Sequence, residues 1–458
     1  MREVGSSSNA VRALTRENVV ASGPRQVLSR IDVLAMIVGL VIGAGIFKAP
    51  SVVAANTESA AGMLAAWLLG GAVSLTGALC YAELASSYPH TGGEYHFLSR
   101  AYGPRLAFLF AWSRLAVLQT GSIALLAFVL GDYLTEWLPL GRASSALYAV
   151  AAVLALTALN AVGLRTSATL QRVMTLVIVL GLLLVAAAGL MHPPPLVTAA
   201  ASSPAAHPAF GLAMVFVLLT FGGWNESAYV SAEVRNVQRN MARVLVGAIG
   251  LITVLYVLVN LAFLNVLGLS GMRASSVVAN DAMRLAVGNY GAVLITLLIV
   301  LAVLTSINVT ILTGARTNYA MAGDVRLFNA LGNWHDRTNA PLTALVVQAV
   351  VSLVLIAIGA FSRSGFETMV QYVSPGVWFF FLLTTVSLIV LRRRDPTRLR
   401  PFRVPFYPLT PIIFCATCVY MLYSSLAYTG FGALLGVAVL AAGTPLLFFL
   451  DRTRATRR

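Results

Sequence analysis

Charged side chains are scarce in this chain: Asp, Glu, Lys and Arg make up 10% of its 458 residues, against about 25% in an ordinary soluble protein. So few ionised groups could not cover a globular surface of this size. A soluble multidomain enzyme is therefore excluded. Disorder is excluded as well, because 59% of the residues are hydrophobic and disordered chains are poor in apolar residues. Acidic residues are scarcer than basic ones, 16 against 31, for a net charge of +15. Nucleic acid is not implied, since the basic residues fall in short clusters between apolar runs and form no basic, aromatic-interleaved domain. Cysteine is nearly lacking: Cys80, Cys415 and Cys418 each sit inside an apolar run. The CxxC spacing of the last two reads there as two small packing residues. No two carboxylates share a mid-span helix face, and His90, His96, His192, His207 and His335 lie in or beside loops. Membrane-embedded hydrolytic chemistry thus has no candidate residues.

Apolar length is what the chain has. Mean hydropathy is +0.84, and the 37 Gly and 18 Pro suit membrane helices, where both are commoner than in soluble ones. About 20 apolar residues cross a bilayer. Twelve such segments can be marked at 31–56, 62–87, 106–131, 145–163, 169–190, 210–233, 243–267, 288–320, 341–360, 368–391, 409–427 and 430–450. The expected fold is an all-α integral membrane protein with 12 transmembrane helices. Residues 1–30 are polar and carry five Arg, which predicts a cytoplasmic tail rather than a cleaved signal. The stretch 191–209 is rich in Pro, Ala and Ser and reads as an external loop.

The arginines set the orientation. With the N-terminus inside, most of the 31 basic residues fall on cytoplasmic segments, including Arg235, Arg239, Arg243 and the run Arg392 to Arg403. Arg142, Arg273, Arg284 and Arg363 fall outside, while Lys48 and Arg114 lie within spans. The positive-inside rule then places both termini in the cytoplasm, the protein being multi-pass in the cytoplasmic membrane.

Segments one and six share a glycine interruption at mid-span, Gly43-Ala44-Gly45 and Gly222-Gly223. Aligning Gly45 with Gly223 sets IGAGIFK beside TFGGWNE and Lys48 opposite Glu226. One segment runs outward and the other inward, the pattern of two five-helix repeats of inverted topology with broken helices. The expected organisation is a first repeat at 31–190, a second at 210–391, a basic cytoplasmic loop at 392–408, two further helices at 409–450 and a tail at 451–458. Free backbone groups at such breaks are tolerable where they line a cavity or meet a ligand.

Four motifs carry a family resemblance: IGAGIF (42–47), YAELASSYPHTGGEY (81–95), FGGWNESAYVSAEVRNVQRNMARV (221–244) and RPFRVPFYPLTP (400–411). Over residues 28–450 the chain resembles the amino acid–polyamine–organocation superfamily, most closely its L-type amino acid transporter branch. The resemblance implies a five-plus-five inverted-repeat core with helices 1 and 6 broken, plus two C-terminal helices. It implies secondary transport of an amino acid by alternating access, with no enzymatic activity and no cofactor. A sensor of the same fold would carry a soluble output domain, for which the two tails are too short.

A zwitterion needs anion and cation holes without permanent charges, and broken helices offer both. The N–H groups and positive dipole end of an outer half-helix suit a carboxylate, and free carbonyls suit an ammonium. By motif position the substrate shell is expected at Val41, Gly43, Ala44, Gly45 and Ile46 on helix 1. On helix 6 it is expected at Leu219, Thr220, Phe221, Gly222 and Gly223, with Trp224 and Asn225 positioning the inner gate. Leu219 stands where the branch carries an aromatic gate, so either Phe221 takes that role or the pocket is wider. The absence of an acidic shell residue favours a neutral amino acid.

Lys48 and Glu226 are the charges nearest the breaks and are coupling candidates, since intramembrane charge is costly. Glu226 is expected to pair with Lys48 or to carry a proton, and Arg114 to reach cytoplasmic water. Related sodium-independent carriers place a lysine on helix 5; Ile178 falls there. Helix 8 instead offers Thr305 and Ser306, which with the carbonyls of Gly39 and Ile42 form a candidate Na+ site. The alternatives are proton coupling and obligatory exchange.

Overall fold

A computed structural model describes residues 24–193, 210–275, 277–360, 365–445 and 447. The expected tails at 1–30 and 451–458 and the loop at 191–209 therefore lie largely outside the described residues. Every described element is helical. In chain order these are α1 (Arg30–Val41), α2 (Gly45–Ala55), α3 (Ala60–Ser87), α4 (Glu94–Tyr102) and α5 (Pro104–Ser113). A π-helical turn, Arg114–Leu118, joins α5 to α6 (Gln119–Trp137), followed by α7 (Ser144–Val162), α8 (Leu164–Met191) and α9 (Phe210–Thr220). A 3-10 segment, Trp224–Glu233, leads to α10 (Val237–Ala274), α11 (Val278–Val287), α12 (Asn289–Asp324), α13 (Leu342–Ala360), α14 (Gly365–Arg394) and α15 (Leu409–Ala442).

Among the described residues nine helices are long and apolar enough to cross a bilayer, or ten if the bent pair α1–α2 counts as one span. The sixth expected segment meets no length test because α9 covers only 11 residues before the chain becomes 3-10 helix. The C-terminal end departs from expectation. One helix runs from Leu409 to Ala442 across the turn expected between spans at 409–427 and 430–450. The stretch AYTGFG (427–432) holds no proline or charge, and a glycine costs a helix only about 1 kcal/mol. Nothing local stops it.

Local chemistry explains the main starts. Ser29 caps α1 through a reciprocal box with Asp32, whose carboxylate accepts from the Ser29 N–H at 2.8 Å. Ser59 caps α3 by accepting from Gly62 N–H at 3.0 Å. The far end of α2 is closed by Arg273, which donates to the carbonyls of Ala54 (3.0 Å) and Thr57 (2.6 Å).

The outer surface is apolar, as lipid requires. On α8, Val173, Leu176, Leu180 and Leu184 are all more than half exposed and lie on one face, while Ile178, Leu182 and Val185 are buried. Inside, the ends are tied by polar contacts. Leu28 N–H donates to the Glu233 carbonyl and Arg235 N–H to the Leu28 carbonyl, both at 2.9 Å. Glu233 is also paired with Arg316 in full burial. Glu83 holds the RPFRVP segment: it pairs with Arg392 and accepts from Val404 N–H at 2.7 Å.

Candidate functional site

Both glycine interruptions break their helices. α1 ends at Val41, and the chain resumes as α2 at Gly45 with a bend of 47°. Within the break, Gly43 N–H donates to the Val41 carbonyl at 2.8 Å. α9 ends at Thr220, and Gly223 adopts φ +115, a left-handed conformation that side-chain-bearing residues avoid. The two breaks touch. A Cβ on Gly223 would stand 3.0 Å from Leu40 Cγ, and one on Gly45 would stand 2.9 Å from Thr220 Oγ1. Tyr256, on α10, lies beneath both. Its hydroxyl is 2.8 Å from the Val41 carbonyl and 3.2 Å from that of Thr220.

The structure brings most of the expected shell residues together here. Val41, Ala44, Ile46, Thr220, Trp224 and Asn225 are buried, and Gly43, Gly45, Gly222 and Gly223 are half-buried. Phe221 is wholly buried against Trp67 and Tyr256, at ring separations of 6.3 and 5.0 Å. Leu219 is the accessible residue of this turn at 40% exposure. Trp224 packs among Tyr81, Phe381 and Phe414.

The charges are arranged differently from the sequence expectation. Arg114 does not reach cytoplasmic water. It is buried and clasps both Glu226 carboxylate oxygens at 3.0 Å. Lys48 is exposed. The π-helical turn explains the difference: its extra residue rotates the third span locally, and Arg114, its first residue, faces inward. The guanidinium also lies 4.2 Å from the Tyr229 ring centroid, a favourable cation–π geometry.

Sequence reasoning missed Glu94. This carboxylate is 2% exposed and accepts from Tyr81 Oη, from Tyr229 Oη at 2.6 Å and from Asn225 Nδ2 at 3.3 Å. Asn225, expected at the gate, is thus a ligand of a buried acid. The GGEY sequence dictates the approach. Gly93 has φ +47, and a Cβ there would come 2.6 Å from the Tyr229 ring. An acid after two glycines reads as a solvated turn, so only its tyrosine-rich motif could have signalled burial.

Of the candidate ion residues, Gly39, Thr305 and Ser306 meet. Thr305 Oγ1 lies 2.7 Å from the Gly39 carbonyl and equally from that of Ala302 in its own helix, and Ser306 Oγ donates to that of Leu40 at 3.1 Å. Ile42 is buried in the same break. Ile178 is buried, and the polar groups that α8 turns toward Gly39 are Gln171 and Thr175. Gln171 joins a buried amide chain: its Oε1 accepts from Asn308 (2.9 Å), whose Oδ1 accepts from Asn160 (2.8 Å).

These features define a polytopic, all-helical membrane protein with two interrupted spans in contact at its centre. The chain belongs to the amino acid permease family, which matches residues 28–445. It is therefore a multi-pass membrane transporter of amino acids and not an enzyme. It is 28% identical over 397 residues to the b(0,+)-type amino acid transporter 1 of Mus musculus, covering 83% of this chain and 79% of that one. Identity to the cystine/glutamate transporter of Homo sapiens is 25% over 427 residues, 91% of this chain and 83% of that one. The serine/threonine exchanger SteT of Bacillus subtilis (strain 168) is also 25% identical, over 95% of this chain and 99% of its own.

Proposed function

We propose that this permease moves a neutral L-amino acid across the cytoplasmic membrane by alternating access, with both termini in the cytoplasm. The observation that carries the reading is the contact between the breaks, Gly45 against Thr220 and Gly223 against Leu40. The first N–H groups of α2 have no partner within their helix and suit a substrate carboxylate. The carbonyls that end α1 and α9 suit its ammonium. Val41, Gly43, Ala44, Gly45 and Ile46 would form one wall, and Leu219 to Asn225 the other. None of these wall residues has an ionisable side chain, which favours a substrate without net charge. Liposomes containing the full chain should take up one or more neutral amino acids. Failure of all twenty to enter or exchange would refute the reading.

Sodium coupling is the second reading, favoured by the Thr305 and Ser306 hydroxyls lying on the carbonyls at the end of α1. These uncharged oxygens, with the Ile42 carbonyl, suit a weakly held hard cation. Sodium-driven uptake should then be lost in Thr305→Ala with Ser306→Ala. Uptake indifferent to sodium in the parent would leave proton coupling or obligatory exchange; SteT is named as an exchanger.

A further inference from the structure

We propose that Glu94 is a proton-binding site whose occupancy controls the inner half of the sixth span, making transport proton-linked. The proposal rests on the transport reading above and shares no residue with the Thr305–Ser306 site.

The donors around Glu94 come from other elements: Tyr81 from α3, and Asn225 and Tyr229 from the 3-10 segment. An ionised carboxylate accepts all three. A protonated one must itself donate, so one phenol has to turn its O–H away and accept instead, and charge-assisted hydrogen bonds give way to weaker neutral ones. Two of the three belong to the 3-10 segment, whose hydrogen bonds have poorer geometry than α-helical ones. Protonation therefore loosens that segment from α4. Loss of the proton fastens it again.

Charge balance points the same way. Two carboxylates, Glu94 and Glu226, surround one guanidinium, Arg114. Fully ionised, the buried cluster carries one uncompensated negative charge, which is costly away from water. One proton makes it neutral. Glu226 is held by Arg114 through both oxygens, so both of its acceptors are already committed. Glu94 has neutral hydrogen-bond partners and is the member free to take the proton.

The charged and titratable groups facing Glu94 are Arg114, Glu226, Tyr229 and Tyr81. Burial pushes its carboxyl above the usual range, Arg114 and the two phenols draw it down, and Glu226 raises it. Other ionisable groups around α4 are engaged elsewhere. Tyr95 bonds Asp324 at 2.7 Å, His96 stacks on His90 and Arg100 pairs with Asp395. Arg394 bonds the Ala101 carbonyl, and Arg105 is exposed.

The test uses the full chain in liposomes loaded with a pH-sensitive dye, with labelled amino acids outside. Wild-type uptake should acidify the lumen, and an inward gradient of one pH unit should support about tenfold accumulation per coupled proton. Glu94→Gln should still bind amino acid, read as a thermal shift, but uncouple its movement from protons and flatten the pH profile. Tyr229→Phe keeps the carboxyl but removes a donor, so its pH midpoint should move upward by about one unit. It serves if Glu94→Gln does not fold. Wild-type uptake without lumenal acidification, proton movement persisting in Glu94→Gln, or an unmoved midpoint in Tyr229→Phe would overturn the proposal. No uptake of any amino acid by wild type would instead refute transport itself, and the proton proposal with it.

Discussion

The hydroxyl of Tyr256 lies 2.8 Å from the carbonyl oxygen of Val41, fastening the seventh span to the end of the first half-helix. The same hydroxyl is within 3.2 Å of the Thr220 carbonyl, so one side chain serves both breaks. Because Tyr256 is fully buried, water cannot replace it.

Tyr256→Phe should therefore destabilise the protein by about 1–3 kcal/mol, the cost of stranding a buried acceptor. A lower melting temperature in detergent, with weaker amino acid binding, is the expected result. An unchanged melting temperature would show that the two carbonyls are satisfied without it.

Arg114→Met should cost more, roughly 3–5 kcal/mol, since it leaves Glu226 without its buried partner. Arg114→Met combined with Glu226→Leu should recover much of the loss. A double variant no more stable than the single one would count against a coupled pair, and a double-mutant cycle of melting temperatures measures this.

Gly93→Ala should destabilise the protein and slow transport together. It demands a left-handed backbone of alanine and drives a methyl into the Tyr229 ring, 2.6 Å away. The ring must shift, and with it the hydroxyl that serves Glu94. Wild-type transport rates in the alanine variant would contradict this placement.

His96 gives a pH prediction outside the spans. Burial first, then His90, Arg100 and Arg398, press its imidazole down to about 3. Folded His96 is therefore neutral, whereas the unfolded residue takes a proton near pH 6.5. Its contribution to stability is complete above that value and is lost as pH falls from there toward 3. Melting temperature should fall across this window, and less steeply in His96→Phe. Parallel curves for the two proteins would refute the assignment.

How much of this was legible beforehand depends on the range of the interaction. Two broken spans could be read locally, because Gly43, Gly45, Gly222 and Gly223 interrupt apolar runs whatever surrounds them. So could the class, since a chain with so few charges must be solvated by lipid. Asn308 braces the eighth span through Asn160 and Gln171, partners distant in sequence that no local pattern announces. The join between the last two expected spans was not legible, because AYTGFG contains no residue that forces a turn.

Composition and hydropathy by themselves determined a helical bundle in a membrane, and the placement of glycines determined where two helices would break. Only the tertiary structure decided which charges meet. Arg114 and Glu226 lie 112 residues apart, and a π-helical turn that no composition announces brings them together. Glu94 likewise became a buried acid only when Tyr81, Asn225 and Tyr229 converged on it from two other elements. Apolar burial depends on a summed property that sequence displays, whereas an ion pair depends on the direction of single side chains, which packing alone sets.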